Sequence, residues 1–509
     1  MAFTVEQTIK GTTYVYRAIG YWDKQKNQAR QKRICLGKED PKTGKLIPSK
    51  SQTPPRACRD FGVYYLLETI AQRIGLTPIL QEVFPELWQR ILTCAFFEVS
   101  EKRPLYLCES WTESTETETH EILSSQRISE LLKEIGGQEH KRLDFFKSWA
   151  KHRAEQEYIA FDITSISSYS QLIEAVEYGY NRDGEDLPQI NLGMLFGQTS
   201  LLPLFYNLYQ GSIRDVGTLH NMIAFAEHLD LRDVRYVMDK GFFSTRNVVE
   251  MLEKRLKFHI SVPFTMSLAK DLVSNFETEI ARAPHSFLVN GEVIHGLKSK
   301  VRIQDRPLIA HLIFDERKRL ESKEKFMRQL IEVETRIREG HDMEDHVLMR
   351  RFKKFLRMTE SGKKVVIKRD EKKITEALRH KGYLIIISNS TAEPQEAVQL
   401  YRAKDAVERA FDNIKNELDM KRLRVHSDDA MRGRLFVAFL SLILYSWIDK
   451  KMREKNLYAS YTQEELFREL KRIKVVELTE ERTLLTELSK KQKEILKALG
   501  ISLPQQSLL

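Results

Sequence analysis

Between Tyr401 and Lys415 the chain reads YRAKDAVERAFDNIK, and its polar residues have a helical spacing. At 100° per residue, Lys404, Glu408 and Lys415 fall within roughly 60° of Tyr401's direction. Ala403, Ala406, Val407, Ala410 and Ile414 cover the opposite side. One face of this helix therefore reads as core, and the adjoining stripe carries a phenol, a cation, a carboxylate and a second cation. Alone, such a stripe is an exposed face with a Lys404–Glu408 pair worth a few tenths of a kcal/mol. Two further carboxylates give it a chemical meaning. Asp162 interrupts the apolar strand EYIAFDITS, Glu157 to Ser165, and the apolar neighbours on both sides predict its burial. A buried carboxylate needs a partner. Asp239 closes a second apolar run, VRYVMD, at a place where an aspartate is more commonly a cap or turn residue.

The elements that would position these residues follow a definite order. Strands are expected at Glu157 to Ser165, Ile190 to Gly197 and Leu201 to Gln210, then a helix near Thr218 to His228. A strand at Val234 to Asp239, a helix from Ser244 to Lys254 and a strand at Phe258 to Val262 complete the series. Strand, strand, strand, helix, strand, helix, strand is the order of a ribonuclease H-like fold, in which the first and fourth strands run side by side. Asp162 and Asp239 would then meet at one edge. The Tyr401 helix, preceded by the strand GYLIIIS at Gly382 to Ser388, would bring the third carboxylate, Glu408.

On these residues the chain resembles the DDE transposases of bacterial insertion sequences, in the subgroup with the signature Tyr-x2-Arg-x3-Glu-x6-Lys. Here the signature is Tyr401, Lys404, Glu408, Lys415, with Lys404 in place of the arginine. FDITS around Asp162, YVMDKGFFS around Asp239, the stretch from Gly211 to Asp215 and MRGRLFVAFLSLILY after Glu408 are similar to the same family. The resemblance extends over roughly residues 150 to 450. It implies a ribonuclease H-like catalytic core, a mixed sheet flanked by helices, interrupted by an insertion within an α+β or α/β multidomain chain.

The resemblance also implies a reaction. Asp162, Asp239 and Glu408 would be catalytic and would hold two Mg²⁺ ions, with Mn²⁺ able to substitute. Crowded carboxylates cannot all stay ionised near neutral pH without cations. Two hard, oxygen-seeking ions about 4 Å apart would remove that penalty, one activating the attacking oxygen and one stabilising the leaving oxygen. Water would nick double-stranded DNA at the element's end, and the released 3′-hydroxyl would attack target DNA. Tyr401, Lys404 and Lys415 would hold the phosphates. Two ends and one carboxylate set per chain imply a homodimer on DNA. A stand-alone metal-dependent nuclease on the same fold, or a non-catalytic DNA-binding relative, are the rival readings.

Composition agrees with a DNA partner. The 509 residues carry a formal charge of +10, and residues 1 to 60 hold 13 Lys/Arg against 5 Asp/Glu. Such a local excess favours a polyanion, nucleic acid ahead of a membrane surface. The four cysteines have no CxxC spacing, so neither a zinc site nor a disulfide framework is expected, and a cytoplasmic protein is. The N-terminus lacks the apolar core of a signal peptide. The apolar run Leu435 to Ile448 is too short to span a bilayer and reads as a buried helix.

The expected domains follow. Residues 1–55 form a small basic β module, a hairpin over 12 to 36 in which Lys24, Arg30, Lys32 and Arg33 interleave with aromatics as candidate phosphate contacts. Residues 56–150 form a helical DNA-binding region, with Ser125 opening one helix and Gly136 closing it. Residues 151–265 and 383–450 form the catalytic core, 266–382 an insertion and 451–509 C-terminal helices. Within the insertion, Asp315 to Met358 reads as a solvated helical hairpin. Near the end, Thr462 to Glu465 reads as a capping box, and Leu488, Ile495, Leu496 and Leu499 form an apolar stripe, a candidate dimer contact.

Overall fold

The computed structural model describes residues 2–504 except 24–27, 50–55, 120, 152, 154–157, 230, 232–233, 340–346, 362–363 and 480–481. They divide into two compact units.

The smaller unit takes Met1–Ile70, Glu109–Ile122 and Lys455–Leu509. Its first sheet has four antiparallel strands in chain order, Ala2–Ile9, Thr12–Asp23, Gln28–Glu39 and Leu46–Pro48. The hairpin expected over 12 to 36 is thus the centre of a larger sheet. A second sheet pairs Lys474–Thr479 with both Ala57–Asp60 and Arg482–Leu485. Thr462 and Glu465 do form a reciprocal capping box, opening the helix Gln463–Leu470. In the last helix, Lys490–Ala498, the stripe is not a free face: Leu488, Ile495, Leu496 and Leu499 are 6%, 2%, 0% and 1% exposed within the chain.

The larger unit takes Ala71–Cys108 and Leu123–Glu454. Its helical part begins with α1 (Leu76–Val83), α2 (Trp88–Glu101), α3 (Ser125–Gly137) and α4 (Glu139–Lys151). Ser124, not Ser125, caps α3, its side chain accepting from Arg127 N–H, and the helix runs one residue past Gly136. The sheet part contains β1 (Tyr158–Ser168), β2 (Gln189–Gly197), β3 (Pro203–Gln210), α5 (Asp215–His228), β4 (Arg235–Met238), α6 (Thr245–Glu253) and β5 (Lys257–Ser261). After α7 (Ser267–Phe276) come β6 (Ser286–Val289), β7 (Glu292–Ile303) and β8 (Arg306–Phe314). The chain continues through α8 (Glu316–Arg338), α9 (Val347–Phe352), the hairpin β9 (Leu356–Ser361) and β10 (Lys364–Arg369), and α10 (Glu371–Arg379). It closes with β11 (Tyr383–Ser388), α11 (Pro394–Ala403), α12 (Asp405–Asp412), a π-turn at Asn413–Glu417, β12 (Arg422–Leu423) and α13 (Asp428–Glu454).

One large mixed sheet organises this unit, in the order β6-β7-β8-β11-β5-β4-β1-β2-β3 with β12 beside β1. β1 pairs antiparallel with β2 and parallel with β4, and β4 pairs parallel with β5. The first and fourth strands therefore run side by side, as the order of elements led one to expect. Part of the insertion is not separate from this sheet, because β8 pairs with β11 and carries β7 and β6 outward. The remainder is no solvated hairpin. Phe326, Leu330, Val333 and Ile337 of α8 pack with Met349, Phe352, Phe355, Leu356 and Ile374 into a core of their own, while Leu320 and Ile331 stay exposed.

Helices α2 and α3 pack on α13. Gly433 lets α13 approach so closely that a Cβ there would lie 1.9 Å from the Leu132 carbonyl oxygen, and Gly136 meets Asp429 in the same way. Phe145 and Phe146 of α4 join Phe436 and Phe439 in an aromatic cluster. Much of the helical region expected to grip DNA is therefore committed to the core. By length and composition α13 is long and apolar enough to cross a membrane, but the apolar window is 94% buried inside the protein. No disulfide joins the four cysteines, and Cys94 and Cys108 are buried.

Candidate active site

Parallel pairing of β1 and β4 sets two carboxylates side by side. Met238 is the register partner of Phe161, so Asp239 follows directly beside Asp162. β5 extends the same level, because Ile260 partners Met238 and Ser261 comes next. Ser261 Oγ donates to Asp239 Oδ1 at 3.1 Å, and the Tyr401 hydroxyl donates to the same oxygen at 2.7 Å. The Lys240 N–H is a third donor at 2.7 Å, since Asp239 caps the short 3₁₀ turn Lys240–Phe242. Burial by itself would raise the Asp239 pKa. The Tyr401 hydrogen bond, the charge on Lys404 and the Lys240 N–H outweigh it and hold the carboxyl below its ordinary value. Burial and then the negative Asp239 push the Tyr401 phenol up, so it remains a donor.

Asp162 has the opposite balance. Its Oδ1 accepts from the Ile163 N–H at 2.9 Å. Burial raises its pKa, Asp239 and Glu408 add to the rise, and Lys404 opposes it without cancelling it. Lys404 Nζ stands 3.6 Å from Asp162 Oδ2 and 2.5 Å from Glu408 Oε1. Burial would lower the pKa of this ammonium, but Asp162, Glu408 and Asp239 together raise it. The Lys404 side chain is 4% exposed and that of Glu408 56% exposed, so Glu408 reaches in from the rim.

The helix that carries these groups is not continuous. Lys404 N–H bonds to the Tyr401 carbonyl and Val407 N–H to the Lys404 carbonyl, both three residues apart, and this tightening separates α11 from α12. Ala406, Val407, Ala410 and Ile414 are buried as the pattern requires, but Ala403 is exposed beside the break. Lys415 lies in the π-turn that follows, and its ammonium bonds both oxygens of Asp183 at 2.8 Å. The family resemblance implied Tyr401, Lys404 and Lys415 as phosphate holders. In the structure Tyr401 is engaged with Asp239, Lys404 with Asp162 and Glu408, and Lys415 with Asp183. Of the N-terminal basic residues, Arg30, Lys32 and Arg33 are exposed on the smaller unit's first sheet, and Lys24 lies outside the described residues.

Ser261 and Asp183 escaped sequence reasoning. A serine at the end of a strand is unremarked until the parallel register sets it level with Asp162 and Asp239. Among the described residues no three acidic, histidine or cysteine side chains stand close enough to hold a metal ion as they are. The Lys404 ammonium stands between Asp162 and Glu408 as a stand-in cation, and the donors around it are oxygens, so the residues fit a hard divalent ion.

Comparisons with known proteins bear on this chemistry. No curated protein matches the chain. Among solved structures, a cryo-EM structure of piggyBac transposase in a synaptic complex with hairpin DNA is 10% identical, covers 79% of this chain and 70% of its own, and has a TM-score of 0.33. The family model described as "Transposase DDE domain" matches residues 153–444, which include Asp162, Asp239, Tyr401, Lys404 and Glu408. With more than half of its length matched, the chain belongs to the transposase DDE domain family.

Proposed function

We propose that the chain is the transposase of a bacterial insertion sequence, of the Tyr-x2-Arg-x3-Glu-x6-Lys subgroup, that cuts DNA at the element's ends and joins the 3′-hydroxyls to target DNA. The reading rests above all on one observation: Asp162, inside β1, and Glu408, in the first turn of α12, gather around a single buried ammonium, with Asp239 beside them just past the end of β4. The strand order β3-β2-β1-β4-β5 supports a ribonuclease H-like core.

Divalent-metal dependence accompanies this family, and Asp162, Asp239 and Glu408 would hold the ions, with Mg²⁺ preferred and Mn²⁺ tolerated. Bound there, the metal would activate the attacking oxygen and stabilise the leaving one. The protein's own part is positioning. Ser261, Tyr401 and Lys240 N–H fix Asp239 through Oδ1, leaving Oδ2 outside those three bonds. Lys404 supplies a positive charge at the cluster, suited to a non-bridging phosphate oxygen once Glu408 turns outward. Water cuts first and the 3′-hydroxyl attacks second, so no side chain becomes a nucleophile. Recognition of the ends belongs in this reading to the basic N-terminal sheet, and two chains act together on two ends.

The DNA flanking the gene, inspected for inverted repeats, supplies the substrate for a test. With a pre-cleaved end of that sequence and Mg²⁺, joining to a plasmid is expected. Cutting without joining would make the chain a nuclease, and binding with neither would make it a non-catalytic relative.

A further inference from the structure

Beyond the carboxylates, β12 takes the place beside β1 that β4 has left. β4's last partner on β1 is Phe161, and Arg422 of β12 partners Ser167. Next to β12 lies a cavity of about 400 Å³. One wall is a single face of α3, presenting Ser125, Ile128, Ser129, Leu132 and Lys133. The opposite wall is the segment entering α13, with Arg422, Arg424, His426 and Ser427, and Arg434 lines it from α13 itself.

We propose that this cavity binds the sugar-phosphate backbone of DNA at a distance from the scissile bond. The inference rests on the reading of the chain as a DNA-processing enzyme and adds a second anchoring point to it. Four cations and one carboxylate, Asp419, line the cavity. Asp419 pairs with Arg424 at 2.9 Å, whereas Glu185 and Glu98, the partners of Arg422 and Arg434, are not in the lining. Arg434 is 7% exposed, and its Nη1 is buried with no hydrogen-bond partner among the described residues. Serine hydroxyls on both walls add neutral donors. The volume lies within the range of ligand pockets, about 300 to 1,000 Å³, and holds a phosphate with its sugar.

The spacing fits the same strand that enters the active site. Ser167 is five residues beyond Asp162 on β1, about 17 Å at 3.4 Å per residue. That is about five base steps of a duplex at 3.4 Å each. A strand laid along the edge of β1 would meet the carboxylates at one end and the cavity at the other.

The test uses the full chain and a fluorescein-labelled 30-base-pair duplex of arbitrary sequence, with affinity followed by anisotropy across a salt series. K133Q together with R424Q is expected to bind more weakly and to lower the slope of log affinity against log salt by about 1.8, that is about 0.9 for each phosphate no longer neutralised. An unchanged slope in a variant that melts like the wild type would overturn the proposal. Should the double variant not fold, the exposed Lys133→Gln alone is expected to lower the slope by about 0.9. Acetylation of the wild type supplies a second measurement: the duplex is expected to shield Lys133 and not Lys497. Equal shielding by polyglutamate would assign the cavity to an acidic protein partner instead. A wild type that binds no DNA would overturn the functional reading itself, whereas a binding wild type with an indifferent variant overturns only the cavity's role.

Discussion

The carboxylate cluster and the N-terminal four-stranded sheet are both rich in ionisable groups, but they use them in opposite ways. In the cluster, Lys404 is 4% exposed and lies against Asp162 and Glu408, and Tyr401 and Ser261 are fastened to Asp239. In the sheet, Ala18 is the one buried apolar side chain among the described residues, while Tyr21 and Trp22 are 49% and 60% exposed, and Lys32 and Arg33, opposite Ile19 and Ala18, are exposed as well. Buried charges have committed to each other, which costs desolvation and fixes geometry. Exposed charges have kept their hydration and remain available to a phosphate backbone. In the proposed function, chemistry is assigned to the first arrangement and recognition to the second.

The largest effect should follow from emptying the first arrangement of a carboxylate. Asp162→Asn, Asp239→Asn or Glu408→Gln is expected to lower DNA cleavage by at least about a thousandfold, since metal-assisted charge stabilisation supplies several kcal/mol. Duplex binding should stay near the wild-type value. A Glu408→Gln chain that still cleaves would remove α12 from the site and leave the comparison without its catalytic half.

Next in size is the loss of the cation. Lys404→Met leaves Asp162 buried without its counter-charge, a change that costs about 3 kcal/mol for buried pairs. Its pH dependence has a definite sign. The folded-state pKa of Asp162 is already raised above its ordinary value, and removal of Lys404 raises it further. The folded chain then keeps a proton that the unfolded chain has lost, so stability falls as pH climbs from the unfolded to the folded pKa. Melting in EDTA should therefore show Lys404→Met deficient at pH 8 and less so at pH 5. Equal deficits at both pH values would mean that Lys404 is held by packing alone.

How far this cluster could be read in advance depends on what kind of signal each residue leaves. Asp162 and Asp239 were legible because a carboxylate inside or closing an apolar strand is conspicuous, and because strand order implies that β1 and β4 pair. Ser261 was not, since its importance lies in a parallel register that no local pattern encodes. Neither the break at Lys404 nor the π-turn at Asn413–Glu417 has a Gly or Pro to announce it. Adjacent serines, Ser124 and Ser125, left the start of α3 ambiguous by one residue. The core of the insertion was missed because α8 is so highly charged that its apolar positions, Phe326, Leu330, Val333 and Ile337, looked sparse until α9 and the segment after it closed over them.

Tyr401→Phe should act more gently than either change above. It removes one of three donors to Asp239 Oδ1, a hydrogen bond to a charged group worth about 1.5 kcal/mol. Asp239 contributes stability above its unfolded pKa that is lost as pH falls through its depressed folded pKa. Without Tyr401 that loss should begin at a higher pH in an acid titration followed by circular dichroism. An unmoved acid limb would show that Ser261 and Lys240 N–H suffice.

The smallest effect on stability, and the sharpest test of the second arrangement, comes from the sheet. Lys32 and Arg33 are exposed, and the side chain of Arg33 makes a 3.3 Å bond to Gln31 on the same strand. Replacing both by Gln touches no core, so the melting free energy should change by no more than about 0.5 kcal/mol. If the sheet faces phosphates, the same variant should nevertheless lower the salt slope of duplex binding by about 1.8. The two readouts separate the possibilities. A drop in stability would mean that the exposed cations brace the sheet after all, and an unaltered slope in a stable variant would move DNA recognition off the N-terminal strands, leaving their exposed Tyr21 and Trp22 to some other partner.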